Sequence, residues 1–350
     1  MDEFIIAQIV PTGVGAEIGG YVGDATPATN ILASIADKVI AHPNVVNAVT
    51  MEMARENVLY AEGYTIDRLF RGEIALREVR ANKIGVVLDC GSEDVESTDM
   101  AINTIDAVRT VKGVDVIEVL RTERPVGGRA VRTRSGAFVG EIKDPETYLK
   151  PAGRLVKKGA DAIAVSTVIK IDPKDLQEYF KGKCPNPYGG TEAIISHSVT
   201  RKYGIPCAHA PLLTKKEMFS EMFSGIVDAR AGAEAISPAY LGCVLEGLHK
   251  APRIVERKKA ETGDITREHL SAVVLPASCM GGVPALAAEK YGIQIIAVEE
   301  NRTVLDVTAA KLGLKNVITV KNYLEAAGVV AAMKEGIDPK AARRPIRKSL

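Results

Sequence analysis

Short β-branched runs alternating with longer segments of helical periodicity constrain this chain most. That rhythm is the signature of βαβ units around a largely parallel sheet. The runs fall at residues 5–10, 38–41, 84–88, 114–120, 162–167, 272–275, 293–298 and 317–320. Most are continuous apolar stretches, as strands buried on both faces must be. Residues 114–120 come closer to strict alternation and predict a strand at a sheet edge. Helices are marked between them. Thr26 followed by Pro27 reads as an N-cap and a first-turn proline, with Ala28, Ile31, Leu32 and Ile35 at helical spacing. A second helix follows Ser92 with Ile102, Ile105 and Val108 inward, and others cover 239–248 and 324–334. The fold class is therefore α/β, with mostly parallel sheets of Rossmann-like βαβ units. Two lobes are expected, 1–145 and 146–340, with a β-hairpin insertion at 129–142 and a basic tail at 341–350.

Composition narrows the function classes. With 350 residues, 46% hydrophobic and 25% charged, the chain is long and apolar enough for a sizeable core, which excludes disorder. No run approaches the roughly 18 apolar residues of a membrane span. Forty-five basic against 44 acidic residues leave a net charge of +1, which argues against a nucleic-acid-coating surface or a polybasic membrane anchor. Five dispersed cysteines without a CxxC pair predict reduced thiols. Met1 to Phe4 carry no basic flank ahead of the first apolar run, so a secretory signal is not expected. Both features predict a cytoplasmic protein. Self-association into a homo-oligomer is left open.

Two glycine-bearing bends follow strong strands and carry the main functional expectation. The first is Pro11-Thr12-Gly13-Val14-Gly15 through Gly19 and Gly20, ahead of Asp24. Glycines let a backbone approach a ligand closely, and free N–H groups before a helix hold phosphate or carboxylate. The spacing is not the dinucleotide fingerprint: the helix starts late, and the second strand ends in His42 rather than an acid for ribose. The second bend holds Ser278, Cys279, Gly281 and Gly282, and echoes the first in pattern: strand, proline, small residues, helix, strand. Placed near a helix start, Cys279 is a candidate nucleophile with a lowered thiol pKa; a packed, inert cysteine is the competing reading. If the two bends meet, they form one cleft at the strand carboxyl ends.

Other candidates cluster in the middle of the chain. Glu192, Ser196, His197, Cys207 and His209 lie within eighteen residues, a set suited to acid–base work. No standard zinc spacing occurs, so no metal is expected; were one bound, His197, His209 and Cys207 would be its ligands. Asp89 ends one strand, and Asn301 and Arg302 follow another, as do His42 and Asn44. Arg121, Arg124, Arg129, Arg132 and Arg134 suit either an anion clamp or a charged hairpin edge.

Several segments together resemble a family of bacterial and archaeal proteins known only as a domain of unknown function: 23–28, 42–47, 207–211, 300–303 and 322–328. The resemblance is broad and implies no activity, cofactor or catalytic residue. From the residues, the expectation is an enzyme acting on a small anionic metabolite. His209 or His42 would move protons, Cys279 or Asp89 would attack or orient, and both bends would hold the anion. The competing readings are a non-catalytic ligand-binding or regulatory protein and a nucleotide-dependent enzyme with an atypical glycine loop. No residue pattern names a cofactor.

Overall fold

In the computed structural model, which describes residues 3–21, 23–43, 45, 53–91, 95–213, 226–235 and 240–346, two parallel sheets carry the fold. In chain order the elements are β1 (Ile5–Gln8), α1 (Thr26–Ala33), β2 (Lys38–Ala41), β3 (Val58–Tyr60), α2 (Gly63–Arg71), β4 (Ile74–Arg77), β5 (Ile84–Leu88) and α3 (Val95–Lys112). There follow β6 (Val116–Arg121), β7 (Gly128–Arg132), β8 (Phe138–Glu141), α4 (Glu146–Lys157), β9 (Ala162–Thr167), β10 (Ile169–Lys170), α5 (Pro173–Phe180) and α6 (Gly189–Tyr203). The last are β11 (Cys207–Pro211), α7 (Tyr240–His249), β12 (Arg253–Glu256), β13 (Leu270–Pro276), α8 (Val283–Tyr291), β14 (Gln294–Val298), α9 (Ala309–Leu312), β15 (Val317–Val320) and α10 (Tyr323–Lys334).

The larger sheet runs β15-β14-β13-β1-β2-β3 and the smaller β11-β9-β5-β6. Every pair in both is parallel. The fully buried runs Ile84–Leu88 and Ala162–Thr167 supply the two central strands of the smaller sheet, and β6 lies at its edge as its alternation predicts. The hairpin β7–β8 forms as expected, and β10 extends it. Thr26 is not a cap: it is the first helical residue, and its hydroxyl donates to Gly23 O. Ile102 is exposed rather than inward, whereas Ile105 and Val108 are buried.

Sheet membership does not follow the expected boundary at residue 145. Strands β13 to β15 return from the far end of the chain to lie beside β1. From β1 the chain winds to β2 and β3 in one direction, and from β13 to β14 and β15 in the other, which makes the β1–β13 pair a topological switch point. Both glycine-bearing bends emerge there. One core joins the sheets: Ile6 and Val39 from the larger pack with Val86 and Ala164 from the smaller, around Leu245 and Leu248 of α7. The outer face of the larger sheet is covered by α2 and α8, and that of the smaller by α4 and α6.

Candidate functional site

The carboxyl ends of β1, β2, β3 and β11 converge with α6 and α7 on a cavity of about 310 Å³. Chemistry is concentrated there. Among the described lining residues are four carboxylates (Glu62, Asp67, Glu192, Glu234) and three histidines (His42, His197, His209), and neither a lysine nor an arginine.

Glu62 follows the three-residue β3 and caps α2. Its Oε1 accepts the Thr65 N–H at 3.0 Å and the Thr65 hydroxyl at 2.9 Å, and Oε2 accepts the Tyr64 N–H at 2.9 Å. A carboxylate at a helix start meets otherwise unpartnered N–H groups and the positive end of the helix dipole. The same Oε2 lies 3.1 Å from Nε2 of His197, which α6 carries and whose side chain is 38% exposed. Gly63 permits this approach, since a Cβ there would sit 3.2 Å from Nε2. Further along α2, burial pushes Asp67 up to about 6, opposed by the charges of His197 and Arg71.

His209 on β11 lines the cavity wall, yet its side chain has 0% exposure. Nε2 is 2.9 Å from the Thr167 hydroxyl and Nδ1 3.3 Å from Glu192 Oε1, so both ring nitrogens are engaged. The ring thereby braces β9 to α6. His42 is also buried, and its Nε2 accepts the Val10 N–H at 3.0 Å. Desolvation holds His42 down to about 4, so it stands as a neutral acceptor.

The remaining expected residues are mostly elsewhere. Thr12 and Gly282 line the cavity, but Gly13, Gly15, Gly19, Gly20, Asp24, Ser278, Gly281, Asn301 and Arg302 do not; Asn44 lies outside the described residues. The first bend makes its close approaches to protein, not to an open cleft. A Cβ on Gly13 would sit 2.5 Å from Phe138 O, on Gly15 2.9 Å from Pro185, and on Gly20 2.1 Å from Ala16 O. Its wall is the 301–304 segment rather than the second bend: Asn301 accepts the Ile18 N–H and donates to Ile18 O, and Arg302 O accepts the Glu17 N–H. Asp24 accepts the Gly19 N–H, and burial pushes it up to about 7. In the second bend the Ser278 and Thr303 hydroxyls pair at 2.9 Å.

Cys279 lacks the lowered pKa expected of it. The α8 helix begins four residues later, at Val283, and burial pushes the thiol up to about 11. Asp89 is buried away from the cavity as a loop acceptor, taking N–H groups from Gly91, Val126 and Val168 and the Thr122 hydroxyl. Cys207 is packed in the core, and among the described residues no group of three or more His, Cys, Asp or Glu is arranged to hold a metal ion. Of the arginine cluster, Arg124 pairs with Asp144, Arg129 with Glu141, and Arg132 with Asp175 and Glu178, so these are hairpin braces rather than an anion clamp.

Sequence reasoning missed Glu62, Asp67 and Glu234. Glu62 ends a strand, the position where working groups of such sheets collect, but a three-residue strand carries too short a pattern to stand out.

Residues 6–343 match the model of the family described as a protein of unknown function, DUF3326. The chain belongs to the DUF3326 family. The resemblance read from the sequence segments is therefore borne out. A Synechococcus sp. protein, 37% identical over 335 residues that cover 95% of this DUF3326 chain and 91% of the relative, is named an uncharacterized lipoprotein. That finding overturns the cytoplasmic placement expected from the cysteines and the N-terminus. Among the described residues, no helix is long and apolar enough to cross a membrane. Two solved structures share weak likeness. One is a periplasmic binding protein/LacI transcriptional regulator from Alkaliphilus metalliredigens complexed with D-xylulofuranose (10% identity, 73% of this chain, 92% of that one, TM-score 0.18). The other is a periplasmic sugar binding protein of an ABC sugar transporter from Legionella pneumophila (9% identity, 72% and 95%, TM-score 0.18). Likeness at that level carries no argument about this family's fold or ligand.

Proposed function

We propose that this chain is an enzyme that moves protons on a small polar molecule held in the cavity, with His197 as base and Asp67 as complementary acid. The observation that carries the reading is the Glu62–His197 pair, 3.1 Å apart on the cavity wall. A carboxylate at Nε2 favours the proton on that nitrogen and leaves the Nδ1 lone pair to accept one. Glu62 is itself fixed by three contacts to the start of α2, so the ring is aimed before a substrate arrives. Asp67, pushed up to about 6, keeps a usable share of its proton near neutral pH. One group removing a proton and another returning one is the requirement of an isomerisation. The anion expected from the sequence meets no described cationic side chain in the lining, so a neutral or positively charged substrate fits better.

The test begins with a thermal-shift screen of small metabolites, followed by proton NMR of each stabilising compound in deuterated buffer with the protein. Wild type is expected to exchange a substrate proton for solvent deuterium or to convert the compound. His197→Gln should slow this about a hundredfold, a typical loss for one acid–base group, while the compound still stabilises the variant. A ligand that wild type holds with neither exchange nor conversion between pH 5 and 8 would leave a binding protein, not an enzyme.

A further inference from the structure

We infer that the cavity is built for an organic ammonium ion, its charged head lodged at the end formed by Glu234, Tyr179 and Tyr240. The inference rests on the cavity being the functional site, and names the class of ligand it takes. Three observations carry it. The first is charge: four carboxylates line the space and no described lysine or arginine offsets them, so the field inside favours a cation and opposes an anion. His42 does not alter this, since its buried ring is a neutral acceptor for the Val10 N–H. His209 lies against Glu192 and His197 against Glu62, so each, even when protonated, offsets only its own carboxylate.

The second is the site opposite the Glu62–His197 pair. Glu234 is buried on the short 231–235 turn, where its Oε1 accepts the Tyr179 hydroxyl at 2.5 Å, and Tyr240 also bonds to it. The tyrosines direct their hydrogens to Glu234 and Tyr179 is held by stacking on Tyr21, so the carboxylate is fixed at that end of the cavity, where its charge attracts an incoming ammonium group. Glu192 adds a second carboxylate acting on Tyr240. The third is composition. The chain has ten tyrosines and six phenylalanines, and five of those sixteen rings line this one cavity: Tyr60, Tyr179, Phe180, Tyr188 and Tyr240. Apolar ring surface beside carboxylates in a partly desolvated space suits a cation with an apolar body.

Three probes of equal length separate the classes: 1-butylamine, 1-butanol and butyrate, titrated at pH 7.5 with binding read by saturation-transfer NMR. Butylammonium should bind at least about tenfold more tightly than butanol, with butyrate weakest. Glu234→Gln keeps an acceptor for Tyr179 and removes the charge; it should weaken butylammonium about tenfold and leave butanol within about twofold. Butyrate or butanol binding as well as the amine overturns the inference. So does equal weakening of all probes by Glu234→Gln, or no binding by any of them. His197→Gln should leave the amine preference intact while slowing solvent exchange about a hundredfold. In wild type, absence of the amine preference with solvent exchange present would sink the ligand class alone, and absence of exchange with the preference present the chemistry alone.

Discussion

His42 and Asp67 face the same cavity and titrate in opposite senses. For His42 the folded pKa of about 4 lies below the ordinary 6.5, so between those values the unfolded chain binds the extra proton. Stability from this group is complete above pH 6.5 and is lost as pH falls towards 4, a loss of about 3 kcal/mol at 1.36 kcal/mol per unit. Asp67 acts the other way: its raised pKa means that folding binds the proton more tightly between 3.8 and about 6, so its contribution is present at low pH and lost as pH rises. Net melting curves mix the two. A difference isolates the histidine: Gln at position 42 retains an acceptor for the Val10 N–H but does not titrate. Wild type should lose about 3 kcal/mol more than His42→Gln between pH 7.5 and 4, read from urea unfolding at each pH. Parallel losses would mean that His42 does not enter the fold as a neutral, desolvated ring.

The hairpin β7–β8 positions α6, and through it Glu192 and His197, by glycine contacts. A Cβ on Gly140 would sit 2.4 Å from Thr191 Cα, and one on Gly190 2.8 Å from Val139 Cα. Backbone against backbone cannot give way, so Gly140→Ala is expected to cost about 1–3 kcal/mol by forced displacement of the hairpin from the helix. Gly328 inside α10 is the control: a Cβ there meets nothing within 4 Å, so Gly328→Ala should stabilise by about 0.5–1 kcal/mol through helix propensity alone. Denaturant midpoints of the two variants should move in opposite directions; a neutral Gly140→Ala would show that the hairpin does not clamp α6. At this scale the sequence was informative where a run was long and apolar. Each of the eight expected strands forms, while β3, with three residues, is too short to stand out, β4 (Ile74–Arg77) and β12 (Arg253–Glu256) carry charged residues at their ends, and β11 is broken by His209 and Pro211. The site was less legible. Glycine spacing reports that something comes close, but not whether the neighbour is a ligand or Phe138 O. The dipole argument for Cys279 omitted the desolvation that raises its thiol.

For the whole molecule, the return of β13–β15 to the N-terminal sheet means that the larger sheet cannot be completed from a contiguous half of the chain, and the smaller sheet, all of it within residues 84–211, is inserted between the larger sheet's two parts. The core between the sheets is shared as well: α7 sets Leu245 and Leu248, both fully buried, among residues of β1 and β2 on one side and of β5 and β9 on the other. The cavity lies between strand ends of both sheets, so losing either would open it. Such a molecule should unfold as one unit despite a length that would permit two domains. Leu245→Ala removes a buried side chain from the shared core and should cost about 2–5 kcal/mol. The cost should appear as a single, shifted transition. The chain has no tryptophan, so the probes are far-UV circular dichroism for both sheets and tyrosine fluorescence, dominated near the cavity by Tyr60, Tyr179, Tyr188 and Tyr240. Coincident urea curves in wild type and variant are the expected result. Curves that separate, with the tyrosine signal lost first and the circular dichroism change in two steps, would show that the sheets unfold independently and that the shared core does not couple them.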